Sequence, residues 1–211
     1  MNLLNKDKMK ILLASNNRHK HGEIQQIIDL YSPNLIVLLL PEDILSQKIE
    51  VEETGNTLEE NAYLKARALF DLTNLPSIAD DTGLEVDALN GAPGVHSARF
   101  AGEDCIDSDN RKKLLSLLKD VPAEKRTSKF RTVICFINNE RIEYIEGMLE
   151  GRIITEERGS MGFGYDSLFI PDGYYKTFAE MTPEEKNSIS HRGNAIRNFV
   201  DFMSRHSTVV I

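Results

Sequence analysis

The sequence predicts a layered α/β fold, a mixed central β-sheet flanked by helices with two lobes and a cleft, and three observations carry that expectation. Strand-like and helix-like patterns alternate through the first third of the chain. Two β-rich segments flank Asn138-Asn139 as an antiparallel hairpin. A last amphipathic stripe, Ile196, Phe199, Val200 and Met203, ends the patterned region.

Each element follows in order. "KILLAS" (10–15) reads as a buried strand broken by Asn16-Asn17. Ile24, Ile27, Ile28 and Tyr31 then fall at i, i+3, i+4 and i+7, one face of a helix. "NLIVLLL" (34–40) is a second strand, closed by Pro41, and Thr57-Leu58-Glu59-Glu60 is a capping box opening a helix to about Leu72. The strand "SIA" (77–79) runs into Asp80-Asp81 and a Thr82-Gly83 turn, followed by a strand or ribbon, "LEVDAL" (84–89), and the turn "NGAPG" (90–94). A helix over roughly 107–119 places Leu114, Leu117 and Leu118 inward. "SKFRTVICFI" (128–137) and "RIEYIEGML" (141–149) form the hairpin, and a Gly-rich passage (159–171) leads to the last helix. No repeat or linker interrupts the chain, so residues 10–205 are expected to form a single domain. Residues 1–9 precede it as an extension, either a disordered arm or the consequence of an alternative start at Met9.

Composition excludes several classes. The 211 residues carry a formal net charge of −8, which argues against coating a nucleic-acid polymer. It leaves room for a local basic pocket that holds a small anion. No apolar run approaches the ~20 residues that span a bilayer, and no signal-type segment follows "MNLLNKDKMK". Cys105 and Cys135 make no disulfide framework and suit a reduced compartment, which points to the cytoplasm.

Three clusters carry chemistry. Ser15 to Lys20, "SNNRHK", sit where a strand turns into a helix, so backbone N–H groups and Lys20 are placed for an anion; an Asn-rich turn with a solvated lysine has the same pattern. "EVEETG" (50–55) and "ADDTG" (79–83) each deliver carboxylates, the donors magnesium prefers beside substrate phosphates, although Glu50, Glu52 and Glu53 also read as a solvated face. Asp80 and Asp81 alternate in direction at a strand end, so one of them points inward. "GFGYD" (162–166) leaves the Phe163 ring unobstructed for stacking a base. Lys186, His191 and Arg192 add cations and donors, and the guanidinium fork of arginine matches the O6 and N7 acceptors of a 6-oxopurine. The histidines show no zinc spacing, and neither a Walker loop nor a Rossmann fingerprint occurs.

The blocks "ILLASNNRHKHGEI", "EETGNTLEENAYLKARA", "IADDTGLEVDALNGAPGVHSARFAGED", "GFGYDSLF" and "EMTPEEKNSISHRGNA" resemble the inosine triphosphate pyrophosphatase family over about residues 10 to 203. The resemblance implies hydrolysis of deaminated purine nucleoside triphosphates (ITP, dITP, XTP) to the monophosphate and pyrophosphate, on a homodimer with magnesium. By the same resemblance Ser15, Asn16, Asn17, Arg18, His19 and Lys20 match a substrate-binding loop. Glu53 matches a magnesium ligand, Asp81 matches the proton acceptor and metal ligand, and Thr82 contacts substrate. Phe163, Gly164, Tyr165 and Asp166, with Lys186, His191 and Arg192, match the base and phosphate pocket. On this reading Asp80-Asp81 together hold magnesium and orient water. Thr82 stands where serine is common, which keeps the hydroxyl, and Ser167 stands where proline is common, which implies a less stiff loop. The alternatives are a pyrophosphatase for other modified nucleotides and a non-catalytic nucleotide-binding module. The "SHRG" and "GFGYD" blocks disfavour the first, and the intact set of Glu53, Asp81 and Lys20 disfavours the second.

Overall fold

The structure is a computed structural model that describes residues 8–15, 18–45 and 49–206. The extension before Lys8, Asn16, Asn17 and the His19 side chain lie outside the described residues. Among the described residues the strands form one seven-stranded mixed sheet. β1 (Met9–Leu13) runs parallel to β2 (Ile36–Leu39) on one side and to β3 (Ser77–Val86) on the other. From β3 onward every pairing is antiparallel: β3 with the two-residue β4 (Pro93–Gly94) and with β5 (Thr127–Ile137), β5 with β6 (Ile142–Ile153), and β6 with β7 (Phe169–Pro171).

Helices cover both faces, as the alternating pattern requires. α1 (Arg18–Tyr31) and α6 (His191–His206) bury Ile24, Ile27, Ile28, Ile196, Phe199, Val200 and Met203 against Ile11, Ile78 and Phe136 of the sheet. α3 (Leu58–Thr73) packs Ala62 and Ala66 on the opposite face, over Ala79 and Cys135. Burial there pushes the Cys135 thiol up to about 12, so it stays an inert packed thiol. A separate apolar cluster occupies the far end of the long strands, where Leu84, Phe130 and Ile153 meet Leu114, Leu168, Phe169 and Phe178. Between the two clusters, β3 carries Asp80, Asp81 and Thr82. The short α2 (Pro41–Leu45) follows β2, while α4 (Asp107–Leu117) and α5 (Pro183–Ile189) flank the far cluster.

Four local expectations are corrected. Thr82-Gly83 is no turn: β3 runs unbroken from Ser77 to Val86, because each of its residues is held in register by β5. Leu117 is exposed, since Asn110 and Leu114 of α4, with Leu118 just beyond its end, occupy the inward face. Tyr31 also lies outside the core, where its ring meets the Arg197 guanidinium at 5.3 Å instead of apolar neighbours. The Thr57 capping box is half formed: Thr57 Oγ1 accepts from Glu60 N at 3.1 Å, while the Glu60 carboxylate accepts from Asn56 N.

One close approach positions the site. A Cβ on Gly147 of β6 would lie 2.1 Å from Ala195 N and 2.3 Å from His191 O. Only glycine lets the first turn of α6 lie directly on the sheet, and that turn carries His191 and Arg192.

Candidate active site

The site forms where β1 stops and β3 continues. The β1–β3 pairing ends at Leu13 opposite Ile78, with Ala14 N donating to Ile78 O at 2.8 Å. β3 therefore runs on through Asp80 and Asp81 without a neighbour on that side. Parallel strands that diverge around a central one leave a crevice at their carboxyl ends, the usual ligand position in open α/β sheets. β2-β1-β3 is such an order.

Successive strand residues point to opposite faces, so the adjacent carboxylates separate. Asp80 faces α1 and α6, with Lys20 Nζ at 2.5 Å and Arg192 Nε at 3.5 Å. Burial opposes its charge, but the Lys20, Arg192 and Lys65 cations outweigh burial and hold its carboxyl well below the ordinary range. Lys20 is itself lowered, because burial and the neighbouring Arg192 exceed the pull of Asp80. Asp81 faces α3. Its Oδ1 accepts from Lys65 Nζ at 2.8 Å, its Oδ2 from Asn61 Nδ2 at 3.4 Å, and the same ammonium donates to Glu53 Oε1 at 2.7 Å. Burial pushes Asp81 above the ordinary carboxylate value, against the pull of Lys65. Burial also pulls Lys65 down, yet Asp81 and Glu53 together hold it above its ordinary value. The expectation that Asp80 and Asp81 jointly hold one metal is thus corrected: the register of β3 sends them to different faces, and Asp81 shares its cation with Glu53 instead.

On the α6 face a cavity of about 150 Å³ is bounded by Thr82, Phe163, Tyr165, His191 and Arg192. Phe163 is 59% exposed, with Lys186 Nζ and the Arg192 guanidinium 5.0 and 5.7 Å from its ring centre. Asp166 Oδ2 accepts from both Phe163 N, at 2.9 Å, and Lys186 Nζ, at 2.6 Å, which ties loop, helix and ring together. Tyr165 packs in the far core and donates to Ser97 O at 2.9 Å, so only part of it faces the cavity. Thr82 Oγ1 lies 2.7 Å from Thr132 Oγ1, which orients its hydroxyl. His191 Nδ1 is buried without a hydrogen-bond partner among the described residues, as is Arg192 Nε apart from its ionic contact with Asp80. An open ring with the Lys186 and Arg192 cations beside it suits a polar planar ligand. On the α3 face a second cavity, of about 250 Å³, is lined by Ser15, Glu50 and Lys65.

Of the first loop, the structure therefore brings Ser15 and Lys20 to the crevice. Arg18 is exposed and ion-paired with Glu42 of α2, and it borders a further cavity that Phe163 and Lys186 also line. Sequence reasoning missed Asn61 and Lys65, although a signal for them exists. In α3 they interrupt an apolar stripe, Leu58, Ala62, Ala66 and Leu69, at core-facing spacing. Polar side chains kept on a buried helix face require partners there. Asn61 supplies one such link, since its Oδ1 accepts from Gly55 N at 2.8 Å and so ties the Glu53 loop to Asp81.

His191 yields a measurable consequence. Burial, followed by the adjacent Arg192 and Lys186, holds its imidazole well below its ordinary value of 6.5, and its ring stacks on Phe130 at 4.6 Å. The folded chain resists a proton that the unfolded chain accepts, so this contribution is complete above pH 6.5 and is lost as pH falls below it. The slope for one proton is about 1.4 kcal/mol per pH unit. Denaturant titrations between pH 7 and pH 5 should show His191→Gln losing stability less steeply than the parent, and parallel profiles would refute the assignment.

Comparisons with known proteins place the chain among named relatives. The dITP/XTP pyrophosphatase of Thermoanaerobacter pseudethanolicus is 48% identical over 195 residues, covering 92% of this chain and 96% of its own. That of Aquifex aeolicus is 45% identical over 201 residues, covering 91% and 95%. Among solved structures, the Ham1 protein of Staphylococcus aureus superposes with a TM-score of 0.84 at 38% identity, covering 93% of this chain and 99% of its own. The Ham1 family profile matches residues 11–202, which include Asp80, Asp81, Lys65, Phe163 and Arg192, and the chain belongs to that family.

Proposed function

We propose that the protein hydrolyses deaminated purine nucleoside triphosphates (ITP, dITP and XTP) at the α–β anhydride bond, releasing the monophosphate and pyrophosphate and so cleansing the nucleotide pool. The observation that carries this reading is the division of labour across β3. An exposed ring flanked by Lys186 and Arg192 lies on one face, a carboxylate pair sharing a cation lies on the other, and the open end of β1 joins them. A nucleotide seated with its base on Phe163, near Arg192, directs its phosphates past Lys20 and Ser15 toward Glu53 and Asp81.

Glu53 and Asp81 fit a divalent cation. Their carboxylates already converge on one ammonium, and hard oxygen donors are the set magnesium takes. No group of three or more His, Cys, Asp or Glu gathers among the described residues. Two carboxylates plus substrate phosphates is the usual magnesium arrangement, so Mg2+ would sit between Glu53 and Asp81. When bound, it neutralises charge that builds on the phosphate oxygens in the transition state. This chain's own residues do the rest. Asp81 orients water and accepts its proton, Asn61 and Lys65 hold that carboxylate in place, and Lys20 and Ser15 bind phosphate. Thr82 donates its hydroxyl to the substrate, and Asp166 keeps Lys186 and the Phe163 loop in position.

Residues 10–205 act as one domain in the cytoplasm. Both cysteines are free, and no described helix is long and apolar enough to cross a membrane. Two copies pair as a homodimer. Ile142, Tyr144 and Met148, exposed on β6, offer an apolar stripe for that contact, and light scattering of the purified chain tests it.

Product analysis tests the reaction. Pyrophosphate and inosine monophosphate should appear in equal amounts from ITP, and chelating the divalent metal should abolish turnover. Diphosphate with orthophosphate as the first products would refute the proposal.

A further inference from the structure

Phe163 occupies an exposed loop between two glycines in the left-handed region, Gly162 at φ +76° and Gly164 at φ +58°. Glycine there is permissive, and an exposed ring has little packing to hold it. Beyond the Lys186 and Arg192 cations near the ring, its position comes from its backbone, and the peptides on both sides of Phe163 are gripped. The preceding one donates Phe163 N–H to Asp166 Oδ2 at 2.9 Å. The following one donates Gly164 N–H to Asp107 Oδ2 at 2.7 Å. Arg111, one turn further along α4, donates from Nη1 to Gly164 O at 2.9 Å. Arg111 is aimed in turn by Glu157, whose Oε2 accepts from Arg111 Nε at 2.8 Å and from the Ser167 hydroxyl at 3.0 Å. Asp107 and Arg111 come from a helix more than fifty residues away in sequence, and neither belongs to the binding blocks.

We propose that Asp107 and Arg111 are positioning residues for the base pocket, clamping Gly164 from both sides so that the Phe163 ring is held ready for the base. The proposal rests on the function given above for that pocket. The clamp also compensates for Ser167: its hydroxyl feeds the Glu157–Arg111 link, so the loop is stiffened by hydrogen bonds. A pre-positioned ring spares the ordering that binding would otherwise require. The base lies far from the reacting phosphorus, so the energy involved is common to ground state and transition state. Its loss raises KM and leaves kcat nearly unchanged.

Two measurements test this. The chain has no tryptophan, so Phe163→Trp provides a single tryptophan on the loop, excited selectively at the red edge where the six tyrosines do not absorb. Adding Asp107→Ala should lower the fluorescence anisotropy, whereas Asp107→Asn, which keeps an acceptor oxygen for Gly164 N–H, should leave it near the Phe163→Trp value. In the Phe163 background, Asp107→Ala should raise KM for ITP about tenfold, the scale of one charge-assisted hydrogen bond, with kcat within about threefold. Asp107→Asn should restore most of that loss. Arg111→Ala, which leaves the start of α4 intact, should move both readouts in the same direction as Asp107→Ala. Unchanged anisotropy, a fall in kcat at constant KM, or an Asn variant as impaired as the Ala variant would overturn the clamp. The anisotropy arm needs no turnover, so a parent protein inactive on ITP would refute the function while leaving the clamp decided by fluorescence.

Discussion

Replacing Asp81 with asparagine is expected to lower kcat by roughly 10²-fold or more, the scale of a general base, with nucleotide binding and folding stability largely kept. The stability half of that expectation comes from the structure. Burial raises Asp81 above its ordinary value, so the fold disfavours its charge, and in a neutral isostere the Lys65 ammonium keeps Glu53 as its counter-ion. Asp80 behaves in the opposite way. The fold favours its charge through Lys20 and Arg192, and Asp80→Asn leaves those two buried cations without their counter-ion. Breaking a buried pair costs about 3–5 kcal/mol, so Asp80→Asn should show itself first as a fall in the denaturation midpoint. Initial rates and urea titrations on the two variants separate the effects. A stable, inactive Asp80→Asn beside an active Asp81→Asn would reverse the roles.

Arg192 should set the preference for 6-oxopurines. Its guanidinium is buried beside the Phe163 ring and the orphaned His191 Nδ1, and it offers donors to an O6 acceptor. Adenine presents an amino donor at that position, which leaves buried polar groups unpaired at about 1–3 kcal/mol each. One or two such mismatches give roughly 10- to 10⁴-fold discrimination in kcat/KM for ITP and XTP over ATP. Arg192→Ala should narrow that ratio mainly by losing ITP activity, but it also removes a counter-ion from Asp80. Arg192→Lys is the cleaner variant, because it keeps a cation there and loses the planar fork. Both variants should be measured with ITP, XTP, ATP and GTP. A parent enzyme that prefers ATP, or an unchanged ratio in both variants, would show that Arg192 does not read O6.

Much of this architecture was legible without coordinates. Helical spacing identified the buried stripe of α6, and strand runs about Asn138-Asn139 identified the β5–β6 hairpin, because burial and backbone geometry impose short periods on a chain. The family blocks put Glu53, Asp81, Phe163 and Arg192 forward as candidates for one site. Asn61 and Lys65 were visible only as polar breaks in an apolar stripe, and a stripe does not say what lies opposite it. Strand pairing decided that question: the β3–β5 register sent Asp80 toward Lys20 and Arg192, and Asp81 toward Lys65 and Glu53. The same pairing held Thr82-Gly83 extended where local residue preference suggests a turn. Local sequence governs short-range conformation, whereas the partner of a charge is set by which distant element packs on its face, and that choice belongs to the assembled sheet.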